Sequence, residues 1–214
     1  MYTRGNPMER KPASLPPMFF AGATVLIMLI VIMMVWQKTL HRPDIRGTWS
    51  SIACEPTPGG NDRMIGLKRT YELTGGEWKT RVDYFIEPEC KTPTFSFELK
   101  GAYELGDTSS EIEGATHGEY NITSIELTPH LAEVAQVFEQ SKCGNTQWEV
   151  GTAKPVGDTG CLGFTPKISD CPILFNVVKR DGDSLYFADN VQGQGLCKRG
   201  EWPKTLNPAA LKKS

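Results

Sequence analysis

Trp78 to Tyr103 reads WKTRVDYFIEPECKTPTFSFELKGAY, and two parts of that stretch decide the fold. Trp78, Thr80, Val82, Tyr84 and Ile86 alternate with Lys79, Arg81, Asp83 and Phe85. Phe95, Phe97 and Leu99 then alternate with Ser96, Glu98 and Lys100. A period of two puts the two sets on opposite faces of an extended chain, so each part predicts a strand with one apolar face. Further out, Leu67, Arg69, Tyr71 and Leu73 share a face, and Tyr120 to Leu127 and Leu174 to Val178 predict more strands. Gly75-Gly76 and Asp181-Gly182-Asp183 sit between strand candidates as hairpin turns. One segment has helical spacing instead. Thr128-Pro129 followed by Leu131, Val134, Ala135 and Phe138 predicts a short helix capped by Thr128, with Pro129 at its first position. Many strands with one helix predict an all-β fold, and a closed antiparallel β-barrel is the expected form because closure removes exposed edges.

Charge divides the 214 residues. Residues 1–46 hold six basic residues against two acidic ones, whereas residues 47–197 hold twelve basic against twenty-two acidic and all six cysteines. So acidic a body repels phosphate backbones, which argues against a nucleic-acid partner. Its aromatic and β-branched content argues against disorder.

Residues 18–36 read MFFAGATVLIMLIVIMMVW, nineteen residues without a charge. About 20 apolar residues cross a bilayer core as a helix, and a cleaved signal peptide is shorter and ends in small residues. Gln37, Lys38, Thr39 and Leu40 follow instead, which predicts an uncleaved transmembrane signal anchor. Arg4, Arg10 and Lys11 before it balance Lys38, Arg42 and Arg46 after it, so charge does not set the orientation. Cysteine usage does: six cysteines in a loop-rich body suit an oxidising compartment. The expected order is a cytoplasmic tail (1–17), the anchor (18–36), a linker (37–46), an extracellular or periplasmic domain (47–202) and a flexible basic tail (203–214). Lys204, Lys212 and Lys213 in that tail suit contact with anionic lipid. Six cysteines allow fifteen pairings. The neighbour scheme Cys54–Cys90, Cys143–Cys161 and Cys171–Cys197 is the working hypothesis.

Gly47-Thr48-Trp49-Ser50-Ser51 and then Cys54-Glu55 begin a series of short motifs. Arg69-Thr70-Tyr71 follows, then Glu87-Pro88-Glu89-Cys90-Lys91-Thr92-Pro93-Thr94-Phe95, Gly101, Tyr103, Gly114-Ala115-Thr116 and Thr128-Pro129. Cys143-Gly144, Trp148, Gly151 and Gly160-Cys161-Leu162 complete it. In this order the motifs resemble the APCDD domain, named after the adenomatosis polyposis coli down-regulated proteins. The resemblance implies an extracellular, lipocalin-like barrel that holds a lipid chain in an apolar cavity, and Wnt-protein binding through the Wnt acyl group. It also implies the pairs Cys54–Cys90 and Cys143–Cys161. Animal members resemble this chain with two tandem copies and a carboxy-terminal anchor; here one copy and an amino-terminal anchor are expected. Cys171 and Cys197 have no clear family counterpart, and His117 stands where an acidic residue is usual.

Gly47 and Trp49 are read as the barrel floor, with the indole plugging that end beneath Arg180 or Arg199. The expected lipid-binding set is Leu67, Tyr71, Trp78, Val82, Tyr84, Phe95, Phe97, Leu99, Ile122, Trp148 and Phe175. A small barrel either fills with side chains or leaves room for one ligand. The predicted function is therefore binding of a lipid or lipidated protein, without cofactor or metal; the sequence has no C-x-x-C and three histidines. Two competitors remain: an enzyme on a lipophilic substrate, with His117 beside Glu119 as base, and an interaction module with a filled interior. No G-x-S-x-G or H-E-x-x-H motif supports the enzyme.

Overall fold

The computed structural model describes residues 28–31, 33, 42–59, 63–163, 165–188 and 196–214. The chain divides into Met1–His41 and Arg42–Ser214. In the first unit, residues 28–31 and 33 are helical, with exposed side chains. Most of the expected anchor, the whole of the 1–17 tail and half of the linker lie outside the described residues. Among the described residues no helix is long and apolar enough to cross a membrane.

Among its described residues the second unit contains ten strands: β1 (Gly47–Ser51), β2 (Glu55–Pro58), β3 (Met64–Leu73), β4 (Glu77–Phe85), β5 (Pro93–Thr108), β6 (Thr116–Pro129), β7 (Lys154–Pro155), β8 (Ile173–Asp181), β9 (Ser184–Phe187) and β10 (Leu211–Lys213). Helix α1 (Ala132–Gln140) lies between β6 and β7. Every pairing is antiparallel, and the order β1-β10-β9-β8-β6-β5-β4-β3 returns to β1 through a β1–β3 pairing. Eight strands therefore form a closed ring. β2 extends the outer half of β3, and β7 does the same for β6.

Register fixes which side chains face the interior. Leu73 pairs with Trp78, Tyr71 with Thr80, Arg69 with Val82 and Leu67 with Tyr84. Those β4 residues pair in turn with Gly101, Leu99, Phe97 and Phe95. The row continues to Ile125 and Leu127 in β6, and Trp49 joins it opposite Tyr71. The other face is a charged ladder, in which Lys79 and Lys100 hold Glu98 at 3.0 and 2.9 Å. Alternation in the sequence has become inside and outside. Two glycines serve close approach. A Cβ on Gly66 would strike Cys54 Sγ at 2.5 Å, and one on Gly101 would strike the Asn121 carbonyl oxygen at 1.7 Å.

Both expected hairpin turns form, between β3 and β4 and between β8 and β9. All three disulfides follow the neighbour scheme: Cys54–Cys90, Cys143–Cys161 and Cys171–Cys197. Two expectations need correction. The helix begins at Ala132 after Leu131, while Thr128 and Pro129 stay in β6 opposite Ser96 and Phe95. The ladder reaches one residue further through His130 N–H to Thr94 O (2.7 Å), so strand pairing overrides the local cap signal. The expected tail ends in a strand of the ring. Leu211 is fully buried between Ser51 and Leu185, and β10 joins β1 to β9. A lone leucine before two lysines carries too little pattern to read as a strand, yet without it the ring is open.

Candidate ligand-binding interior

One end of the ring is sealed. Gly47, with φ +128°, brings the chain into β1, and a Cβ there would meet Lys213 Cε at 2.7 Å. Trp49 is fully buried, and its indole N–H donates to Ile45 O at 2.7 Å. Arg180 and Lys213 stand over its ring at 5.6 and 5.7 Å from the centroid. Arg180 also donates to the Asp44 carbonyl and to Gly182 O. Arg180 thus fills the role expected of it or of Arg199. Arg199 lies elsewhere, over Phe175 and 3.3 Å from Glu119. The Asp44 carboxyl is held well below the usual carboxylate range by hydrogen bonds from Arg46.

Above this plug the interior is aromatic. Tyr71 stacks on Phe187 at 4.2 Å, and Tyr120 meets Trp78 edge-on at 5.3 Å. Trp78 Nε1 donates to Asn121 O at 3.0 Å, so its ring is fixed. Burial pushes the Tyr120 phenol well above its ordinary pKa and the Tyr84 phenol in the same direction. Among the described residues the Tyr120 hydroxyl has no hydrogen-bond partner. Towards the other end, Tyr84 stacks on Phe95 at 4.6 Å. Phe138 of α1 meets Phe95 edge-on, and Trp148 packs on Phe138.

Burial is uneven across the interior. Trp49, Leu73, Trp78, Leu99 and Ile122 are buried. Leu67, Tyr71, Val82, Tyr84, Phe95 and Phe97 face inward yet retain accessible surface. Nine of the eleven expected lining residues therefore share the inner face. The other two do not. Phe175 lies on the outer face opposite Glu119, under Trp202 and Arg199, whereas its neighbour Leu174 faces in opposite Tyr120. The run from Leu174 to Val178 is apolar on both faces apart from Asn176, so alternation could not set its parity. Trp148 belongs to no strand; it sits beyond α1 and donates its indole N–H to Cys143 O at 2.9 Å.

Two features were absent from the sequence reading. Arg69 faces inward and pairs with Glu55 at 2.9 Å, the two side chains only 9% and 12% exposed. It also donates to Ala209 O at 2.8 Å. The guanidinium thereby joins β2–β3 to the segment before β10, a seam that strand hydrogen bonds do not span. The second is on the outer face, where Ser96 Oγ lies 2.6 Å from His130 Nε2, 2.5 Å from Asp83 and 2.8 Å from Arg81. Ser96 is 2% exposed, and three groups already hold its oxygen, so the arrangement ties β4 and β5 to the chain beyond β6 and offers no accessible nucleophile.

His117 is also on the outer face, stacked on Trp202 at 4.2 Å. Burial there lowers its pKa below 6.5, opposed in part by Asp107. The neutral ring is thus favoured in the folded state. Its stabilising contribution is complete above the unfolded value and is lost as pH falls from about 6.5 through the lowered one. Acidification is expected to loosen the segment around Trp202, read as increased Trp202 amide-segment exchange. His117→Gln should remove that pH dependence; an unchanged profile contradicts it.

A cleft of about 460 Å³ lies outside the ring, lined by Glu72, Thr74, Glu77, Trp78, Lys79, Lys100, Gly101, Ala102 and Thr123. Charged side chains border it, while more of its wall is apolar than polar. Among the described residues no cluster of three or more His, Cys, Asp or Glu is placed to hold a metal.

The family model described as Adenomatosis polyposis coli down-regulated 1 matches residues 34–156, from before β1 to β7, while β8, β9 and β10 close the ring beyond the matched segment. That match covers more than half of the sequence and includes Trp49, the Cys54–Cys90 disulfide and most of the inward aromatic wall: the chain belongs to the adenomatosis polyposis coli down-regulated (APCDD) family.

Proposed function

We propose that this protein is a membrane-tethered, extracytoplasmic binding domain whose strand ring acts as a β-barrel and takes a lipid or acyl chain into its interior without turnover. The carrying observation is a set of inward apolar side chains that are not fully buried. Leu67, Val82, Tyr84, Phe95 and Phe97 point inward and stay accessible, at the end opposite the buried Trp49. Each methylene moved from water into such a wall contributes about 0.8 kcal/mol. About twelve of them would gain roughly 10 kcal/mol before association costs, enough without a reactive group. Three disulfides support an oxidising compartment, and the exposed apolar helix at 28–31 and 33 supports the anchor. In this reading the amino terminus is cytoplasmic, the domain is outside, and one copy serves. The family resemblance favours an acyl chain carried by a lipidated protein of the Wnt type.

The test is lipid retention by residues 42–214 made in an oxidising compartment, read by native mass spectrometry. Wild type is expected to carry an acyl lipid. Val82→Trp fills the hollow and is expected to weaken retention at least tenfold, about 1.4 kcal/mol. Lipid-free protein, or retention indifferent to Val82→Trp, overturns the proposal.

A further inference from the structure

We propose that Asn121 carries an N-linked glycan. Asn121-Ile122-Thr123 is an acceptor triplet, common enough by chance that the sequence alone decides nothing. The structure supplies what the triplet lacks. Asn121 and Thr123 are both exposed on β6, while Tyr120 and Ile122 between and beside them are buried. Asn121 is also the last β6 residue paired with β8, opposite Ile173. Beyond it Ile122 N–H still donates to Pro172 O and Val156 N–H to Ile125 O, each at 2.9 Å, and β7 then pairs with Glu126 and Leu127. On its other side stands Ala102, small and exposed.

The backbone at this point is fixed and the side chain is not. The Asn121 carbonyl accepts the Trp78 indole N–H at 3.0 Å, and Thr123 Oγ1 donates to Lys100 O at 3.1 Å. The Asn121 amide side chain makes no hydrogen bond within the described residues. Gly101, Ala102 and Thr123 border the outer cleft of about 460 Å³, which leaves room beside the acceptor for the first sugars. The Asn121 and Thr123 side chains lie on the face away from the interior, so a glycan here is compatible with a bound guest.

The step needs a lipid-pyrophosphate-linked oligosaccharide and an oligosaccharyltransferase, both supplied by a eukaryotic secretory pathway. Asn121 Nδ2 forms a bond to C1 of the terminal N-acetylglucosamine. The bond from C1 to the pyrophosphate oxygen breaks, the lipid pyrophosphate leaves, and the amide proton passes to a base of the transferase. The inference rests on the extracytoplasmic placement proposed above.

The experiment expresses the full chain in cultured animal cells and treats it with peptide N-glycosidase. A single downward mobility shift is expected, with Asn121 converted to Asp in the peptide map. N121Q and T123A should abolish the shift, and T123S should retain it. Maleimide tagging of the same samples without reductant reports the cysteines. An unmodified Asn121 overturns the proposal in either case. With blocked cysteines only the glycan is rejected; with free thiols the compartment is rejected too.

Discussion

Arg69→Met is expected to lower the unfolding free energy by about 3–5 kcal/mol, the range for removing one partner of a buried ion pair. The cause is what remains behind. Glu55 would stay largely buried, 12% exposed, with Ser51 Oγ at 2.5 Å as its surviving partner and no cation. The Ala209 carbonyl would lose its donor as well. Since Ala209 lies two residues before β10, the loss falls on the strand that closes the ring. Replacing both partners, Arg69→Met with Glu55→Leu, removes the stranded charge and should recover a large part of the loss. Urea unfolding monitored by tryptophan fluorescence reads both variants. A single-variant loss under about 1 kcal/mol would show an ordinary surface pair, and the seam would then be held by something else.

Trp49→Ala carries the second large effect, again about 3–5 kcal/mol, as for a fully buried aromatic truncated in a core. Three contributions vanish together: the packing of a side chain with 0% exposure, the 2.7 Å bond to Ile45 O, and the π face shared by Arg180 and Lys213. The two cations would then face each other across a cavity. Trp49→Phe keeps an aromatic face and most of the volume, so it should cost clearly less. Arg180→Ala in the Trp49→Ala background should cost less than in the wild type, because the contact is already gone. Thermal unfolding of the four proteins completes the cycle. Additive losses would mean that Arg180 and Trp49 act independently.

How much of this was legible in the sequence follows from local pattern. β3, β4 and β5 alternate cleanly because one face meets an apolar interior and the other meets water, and the paired faces match the expected residues from Leu67 to Leu99. Trp49 was legible through its glycine neighbour, and Arg180 was one of two cations considered for it. What stayed hidden depends on distant parts of the chain. β10 is three residues long and is specified by its partners Ser51 and Leu185. In the Arg69–Glu55–Ala209 seam, Arg69 and Ala209 stand 140 positions apart, a contact that no periodicity encodes. Phe175 was misplaced because both faces of β8 are apolar, the outer one covered by Trp202. The helix cap misled because Thr128-Pro129 satisfied a local rule while the β5–β6 ladder held both residues extended.

The most direct test of the hollow interior is methyl NMR of residues 42–214 titrated with a long-chain fatty acyl probe carrying a nitroxide along its tail. Leu67 and Val82 should broaden strongly, and Leu73 and Leu185 near the plug should broaden less. Val177, on the outer face opposite His117, should be unaffected. Equal broadening on both faces, or none at Leu67 and Val82 at saturating probe, would contradict an interior that admits an acyl chain.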